Sequence, residues 1–167
     1  MAQRKVTKNI PYVLHSGGAV EYVTVNDDAT LQLGTGDFSI AILVRSDQST
    51  SNTGPVITKK NHITDSSLGW GLSMISSGVN AIRWYTGDGA STRAINTSFK
   101  PGQDFTWIGV DRVGTSITIY MDGVEDVTES HAVHGTDFNN TDVLRIFSDA
   151  NLGNVFKGFI GPAYIWK

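Results

Sequence analysis

The sequence predicts an all-β domain built as an antiparallel sandwich or barrel. Three observations predict it: apolar residues alternate with polar ones in segment after segment, turn-forming breaks follow at short intervals, and no stretch sustains a helical period. "TSITIYMDGVED" (115–126) displays the pattern in miniature. Ile117, Ile119 and Met121 fall on one face, and Ser116, Thr118 and Tyr120 on the other. Asp122-Gly123 follows, the dipeptide a two-residue hairpin prefers because that turn needs positive φ at both central positions.

The elements read in order as follows. "AVEYVTV" (19–25) alternates after the Gly17-Gly18 break, and "DFSIAILVR" (37–45) puts Phe38, Ile40, Ile42 and Val44 on one face. "SNTGPVITKK" (51–60) is a turn and a short strand around Val56 and Ile57; "GWGLSMIS" (69–76) groups Trp70, Leu72 and Met74. "NAIRWYT" (80–86) sets Ile82 and Trp84 against Arg83 and Tyr85. After the turn "GDGAS" (87–91) come "TRAINTS" (92–98), then "DFTWIGVDRV" (104–113), which meets 115–121 across Gly114. "VLRIF" (143–147) and "VFKGFIGPAYIW" (155–166) close a set of about ten strands. The only helix candidates lie between 124 and 142, where no 3.6 period is sustained. Residues 1–18 read as an N-terminal arm and 19–167 as a single domain.

Composition narrows the function classes. Of 167 residues only 17% are charged, so Ser, Thr, Asn and Gly must supply much of the surface. The net charge is −3 and no basic stripe runs through the body, which argues against electrostatic binding of nucleic acid. Arg4, Lys5 and Lys8 sit in the arm, either solvated or packed on a neighbouring subunit. With no cysteine there is no disulfide framework. No segment has signal-peptide character or membrane-span length, so a soluble protein is expected.

Several pieces, in order, resemble the laminin-G-like, concanavalin-A-like jelly-roll family. "EYVTVNDDATLQLGTGDFSIAILVR" is similar to its opening, "GWGLSMIS" and "NAIRWYTGDG" to a following hairpin, and "IGVDRVGTSITIYMDGVED" to its central hairpin. "LRIFSDANLGNVFKGFIGPAYIWK" resembles the ending. The resemblance runs over roughly 19–167 and implies a two-sheet antiparallel jelly roll. Two departures stand out. Phe105-Thr106-Trp107 replaces the family's Trp-His-His, and Pro162 interrupts the last strand, implying an edge or a bulge because proline lacks an amide hydrogen.

Some members of that family hydrolyse glycans, which with retention needs two carboxyl groups about 5 Å apart. The nearest acidic group, Glu125, Asp126 and Glu129 in "GVEDVTE", reads as a solvated loop. His131 and His134 form an H-x-x-H without an identifiable third metal ligand, and "LGTGDF" and "YTGDGAS" lack the lysine of a phosphate loop. The protein is therefore read as a non-enzyme. The resemblance raises calcium, for which Asp149, Asn151 and Asn154 are the first candidates and Asn26, Asp27 and Asp28 the second; the same residue types also simply make turns. For a sugar, Arg83, Trp84, Tyr85 and Asp88 offer an aromatic ring and hydrogen-bonding groups, although alternation lets only one of Trp84 and Tyr85 face outward. Trp70, Trp107 and Trp166 read as core or half-buried. The expected function is a binding or display module. Its setting is a tailed-bacteriophage virion, as a capsid-decoration or tail-associated protein with capsid or tail proteins as partners and a homo-oligomer formed through the arm. The alternative is a carbohydrate-binding module for cell-surface glycans in a secreted, extracellular protein.

Overall fold

Because each strand carries its apolar residues on alternate positions, each sheet has one greasy face, and two such faces close on one another. The computed structural model describes residues 13–17, 21–47, 54–60, 65–75, 81–98, 103–150 and 155–167. These form two six-stranded sheets in which every pairing is antiparallel. The strands are β1 (Leu14–Ser16), β2 (Val23–Val25), β3 (Phe38–Ser46), β4 (Gly54–Lys59), β5 (Gly69–Ile75), β6 (Ala81–Gly87), β7 (Thr92–Asn96), β8 (Thr106–Val113), β9 (Ser116–Met121), β10 (Val124–Ser130), β11 (Leu144–Ile146) and β12 (Gly158–Trp166). The first sheet runs β1-β12-β3-β8-β9-β10 and the second β2-β11-β4-β5-β6-β7, giving the expected jelly-roll sandwich.

Ile40, Ile42 and Val44 of β3, Ile108 and Val110 of β8, and Ile117 and Ile119 of β9 meet Leu72, Met74, Ile82 and Ile95 of the second sheet in one core. Trp84 stacks on Trp70 with ring centroids 5.5 Å apart, and Phe38 tilts against Trp84 at 5.9 Å. Arg112 is fully buried at one end of this core, its guanidinium 4.8 Å from the ring centres of both Phe38 and Phe138. It donates to the carbonyls of Gly34, Gly36, His134 and Thr136, so a buried charge ties two loops together. The hairpin at 122–123 has the expected backbone, with φ of 51° at Asp122 and 83° at Gly123.

Two stretches differ from the sequence reading. Residues 124–130, where only helix or solvated loop was expected, form the edge strand β10; a bulge between Glu125 and Val127 breaks the alternation that would have revealed it. Within the arm expected at 1–18, Leu14–Ser16 pair with Ile160–Gly158 as an edge strand of the first sheet; residues 1–12 lie outside the described residues. Pro162 falls in a bulge of β12 between Ile160 and Ala163, past the last described pair of β1 with β12, and a bulge is where a strand tolerates a residue without an amide hydrogen.

Candidate functional site

Of the four residues read as a sugar site, the two aromatics are enclosed. Trp84 is 0% exposed and belongs to the core. Tyr85 points from the opposite face of β6 and is still only 4% exposed. Arg83 lies over its ring at 5.6 Å and donates to its hydroxyl at 3.1 Å, while also donating to Asn96 Oδ1. Neither aromatic therefore faces solvent, which corrects the expectation that one would. Asp88 accepts the amides of Ser91 and Ala90 at 2.6 and 2.9 Å; these bonds, that from Ser91 first, lower its pKa. It stabilises its own turn.

Of the calcium candidates, Asp149 is buried, and Asn151 and Asn154 lie outside the described residues. The second loop is engaged by protein groups. Asp27 sits 2.7 Å from the buried ammonium of Lys59, and Asp28 caps the 3-10 turn Ala29–Leu31 through the Thr30 amide and hydroxyl. Among the described residues no three acidic or histidine side chains converge on a metal position.

The acidic group on β10 binds the two sheets together at their common edge. Asp126 accepts the Ser98 amide at 2.7 Å, and Glu129 accepts from Arg93 of β7, a hydrogen bond that holds Glu129 below the usual carboxylate range. Behind this clasp His134 is fully buried, its Nδ1 2.8 Å from Thr86 Oγ1 and its Nε2 3.6 Å from Glu129. The latter is beyond hydrogen-bond reach. Burial lowers the His134 pKa to about 4, and attraction to Glu129 offsets only part of that.

The accessible chemistry lies instead on the outer face of the first sheet. In β3 the register that turns Ile40 and Ile42 inward turns Ser39 and Ala41 outward; in β8 it turns out Trp107, Gly109 and Asp111. One cross-strand row therefore reads Tyr164–Ala41–Gly109–Tyr120, and the next Trp166–Ser39–Asp111–Thr118. Small residues at 41 and 109 leave a trough between the aromatic walls. A β-carbon on Gly109 would stand 3.3 Å from that of Tyr120, so this ring leans over the glycine. The result is a cleft of about 600 Å³ floored by Ala41 and Gly109 and lined by Trp107, Tyr120, Trp166, Asp111 and Asp122.

Trp107, Tyr164 and Trp166 form a row of near-parallel rings, with centroids 6.2 and 5.6 Å apart and interplanar angles of 27° and 22°. Tyr164 is 49% and Trp166 52% exposed, so Trp166 is more open than the half-buried Trp107 and far more so than Trp70 in the core. Among the described residues, no protein group hydrogen-bonds the side-chain polar atoms of Ser39, Asp111, Tyr120, Tyr164 or Trp166. A signal for this site was present: "AYIW" alternates, and an inward Ile165 forces Tyr164 and Trp166 outward together.

Hydrolysis would need paired carboxyl groups. Asp111 and Asp122 line the cleft, but Asp122 pairs beside Trp107, four positions along β8 from Asp111. At about 3.3 Å per residue that is roughly 13 Å, wider than the roughly 5–9.5 Å of glycosidase pairs. Asp122 also accepts the Trp107 amide at 3.0 Å, which fixes its carboxylate on the hairpin.

Comparison with known proteins agrees with this architecture. Residues 17–167 match the family model described as the concanavalin A-like lectin/glucanases superfamily. Among solved structures, a binding domain of Paraclostridial Mosquitocidal Protein 1 is similar at a TM-score of 0.66 and 12% identity, over 92% of this chain and 39% of that one. Domains LG4-5 of the mouse laminin α1 chain give 0.63 and 11%, over 92% and 40%. A botulinum neurotoxin type C structure, whose cell entry is described as dependent on two ganglioside molecules, gives 0.63 and 19%, over 87% and 36%. The chain thus spans about two fifths or less of these longer molecules. No curated protein matches it. The twelve-stranded sandwich and the match over residues 17–167 place the chain in the concanavalin A-like lectin/glucanases superfamily.

Proposed function

We propose that the protein is a non-enzymatic carbohydrate-binding module whose binding face is the outer surface of the first sheet. The observation that carries this is the row Trp107–Tyr164–Trp166 beside a trough floored by Ala41 and Gly109 and edged by the side chains of Ser39, Asp111 and Tyr120, which take no hydrogen bond from the described residues. A pyranose presents an apolar C–H face and a rim of hydroxyls. Flat aromatic surface removes the first from water, and carboxylates and hydroxyls pair with the second. The wide Asp111–Asp122 separation supports binding without cleavage. The ganglioside dependence stated for the type C neurotoxin, and the complex of a related neurotoxin binding domain with SialylT, support a glycan as the ligand class.

The test is a glycan array followed by calorimetry on the hits. Trp166→Ala and Tyr164→Ala should each weaken binding by about 1–3 kcal/mol, the range for losing one ring from a stacking platform. Trp166→Ala that binds as tightly as the parent would place the site elsewhere. Display on a virion is a further proposal about setting, to be tested by labelling intact particles with antibody to this chain; particles that carry none of it would remove that setting while leaving the binding face standing.

A further inference from the structure

Among the described residues the charged groups that line the cleft, Asp111 and Asp122, are both acidic. Asp111, Ser39 and Trp166 also border a smaller neighbouring hollow with Asp37, Arg112 and Lys167, and Arg112 there is committed to loop carbonyls. The nearest cation in sequence, Lys167, donates to the carbonyl of Ala29 at 2.8 Å. Arg45, on the same face of the sheet, lies over Phe159 at 3.9 Å with Asp47 another 3.9 Å away. Asp111 is half-buried, and among the described residues nothing donates a hydrogen bond to its carboxylate. On the paired strands it stands beside Ser39 and, one strand further, Trp166.

A carboxylate partly withdrawn from water and left without a partner attracts a cation more strongly than one in bulk solvent. Faces of tryptophan and tyrosine add to that attraction through their quadrupoles. Both groups repel an anion. We propose, resting on the glycan reading above, that the cleft selects sugars carrying a free amine over their N-acetylated and anionic counterparts. The sugar ammonium takes a charge-assisted hydrogen bond to Asp111 while the ring packs against Trp166. Acetylation removes the charge and adds bulk, and a sulfate or carboxylate meets Asp111 and Asp122 with the wrong sign.

The experiment is calorimetric titration with glucosamine oligomers, N-acetylglucosamine oligomers of equal length, a sulfated oligosaccharide, and benzyltrimethylammonium as a cation without a sugar. The parent protein should bind the free-amine oligomer about tenfold more tightly than the acetylated one, with the sulfated sugar weakest. Asp111→Asn should remove that preference, weakening the free-amine oligomer about tenfold more than the acetylated one. Equal affinity of the parent for amine and acetamide would overturn charge selection while glycan binding stands. Benzyltrimethylammonium bound by the parent and lost in Asp111→Asn, with every oligomer silent, would support selection of a cation and remove the sugar reading. Silence from all four ligands would overturn both.

Discussion

Two tryptophans with the same side chain have opposite jobs, decided by which way alternation turns them. Trp84 is enclosed between Trp70 and Phe38, so Trp84→Ala removes a stacked partner and opens a cavity in the core. Its expected cost is about 3–5 kcal/mol of unfolding free energy, read by denaturant titration. Trp166 is half exposed at the end of β12, and Trp166→Ala should change stability by no more than about 0.5 kcal/mol. It should lose ligand instead. A Trp84→Ala protein as stable as the parent would mean that the paired indoles do not hold the core. The sequence located both residues on strands, but it offered Trp84, which is enclosed, as a candidate for contact with a ligand and grouped the more exposed Trp166 with the core or half-buried indoles. Period two says which residues share a face; it does not say which face meets the other sheet, and both indole-bearing strands satisfy the same rule.

At the scale of the element, legibility tracks how clean the alternation is. β3, β8 and β9 were readable because their inward residues are all large and apolar, and the 122–123 turn because Asp-Gly fits its positive φ values. β10 was not. Its inward set is thinned to the partly buried Val127, Val124 is exposed at the turn, and the bulge shifts the register within three residues. Its acidic residues looked like a loop because an edge strand needs charge to discourage pairing with another chain. Here two of those charges also bridge to β7 and the residues after it. Asp126→Ala should therefore leave the sheet intact but free the Ser98 amide, whose hydrogen exchange should accelerate, with about 1 kcal/mol of stability lost. Unchanged exchange at Ser98 would show that this bond does not close the edge.

For the whole molecule, the same edge sets how the sandwich responds to acid. His134 lies between the sheets, touching Thr86 of β6 on one side and facing Glu129 of β10 on the other, with Arg93 and the His131 ring nearby. Its pKa is about 4 in the folded protein against about 6.5 in an unfolded chain. At pH 7 both states hold the neutral ring and stability is at its full value. As the pH falls through 6.5 the unfolded chain takes up the proton first, so unfolding is favoured progressively until the folded ring also titrates near 4. The full loss is about 3 kcal/mol. The carboxylates whose pKa values the fold lowers, Glu129 and Asp65 among them, act in the same direction but only once unfolded carboxylates begin to titrate, near pH 4.5 and below. Between pH 6.5 and 4.5 the slope therefore belongs to the buried histidine. Denaturant titrations across that window should show the parent losing most of this amount and His134→Gln staying nearly level, whatever its stability at pH 7. A variant with the parent's slope would assign the acid sensitivity to other groups and leave His134 as packing alone.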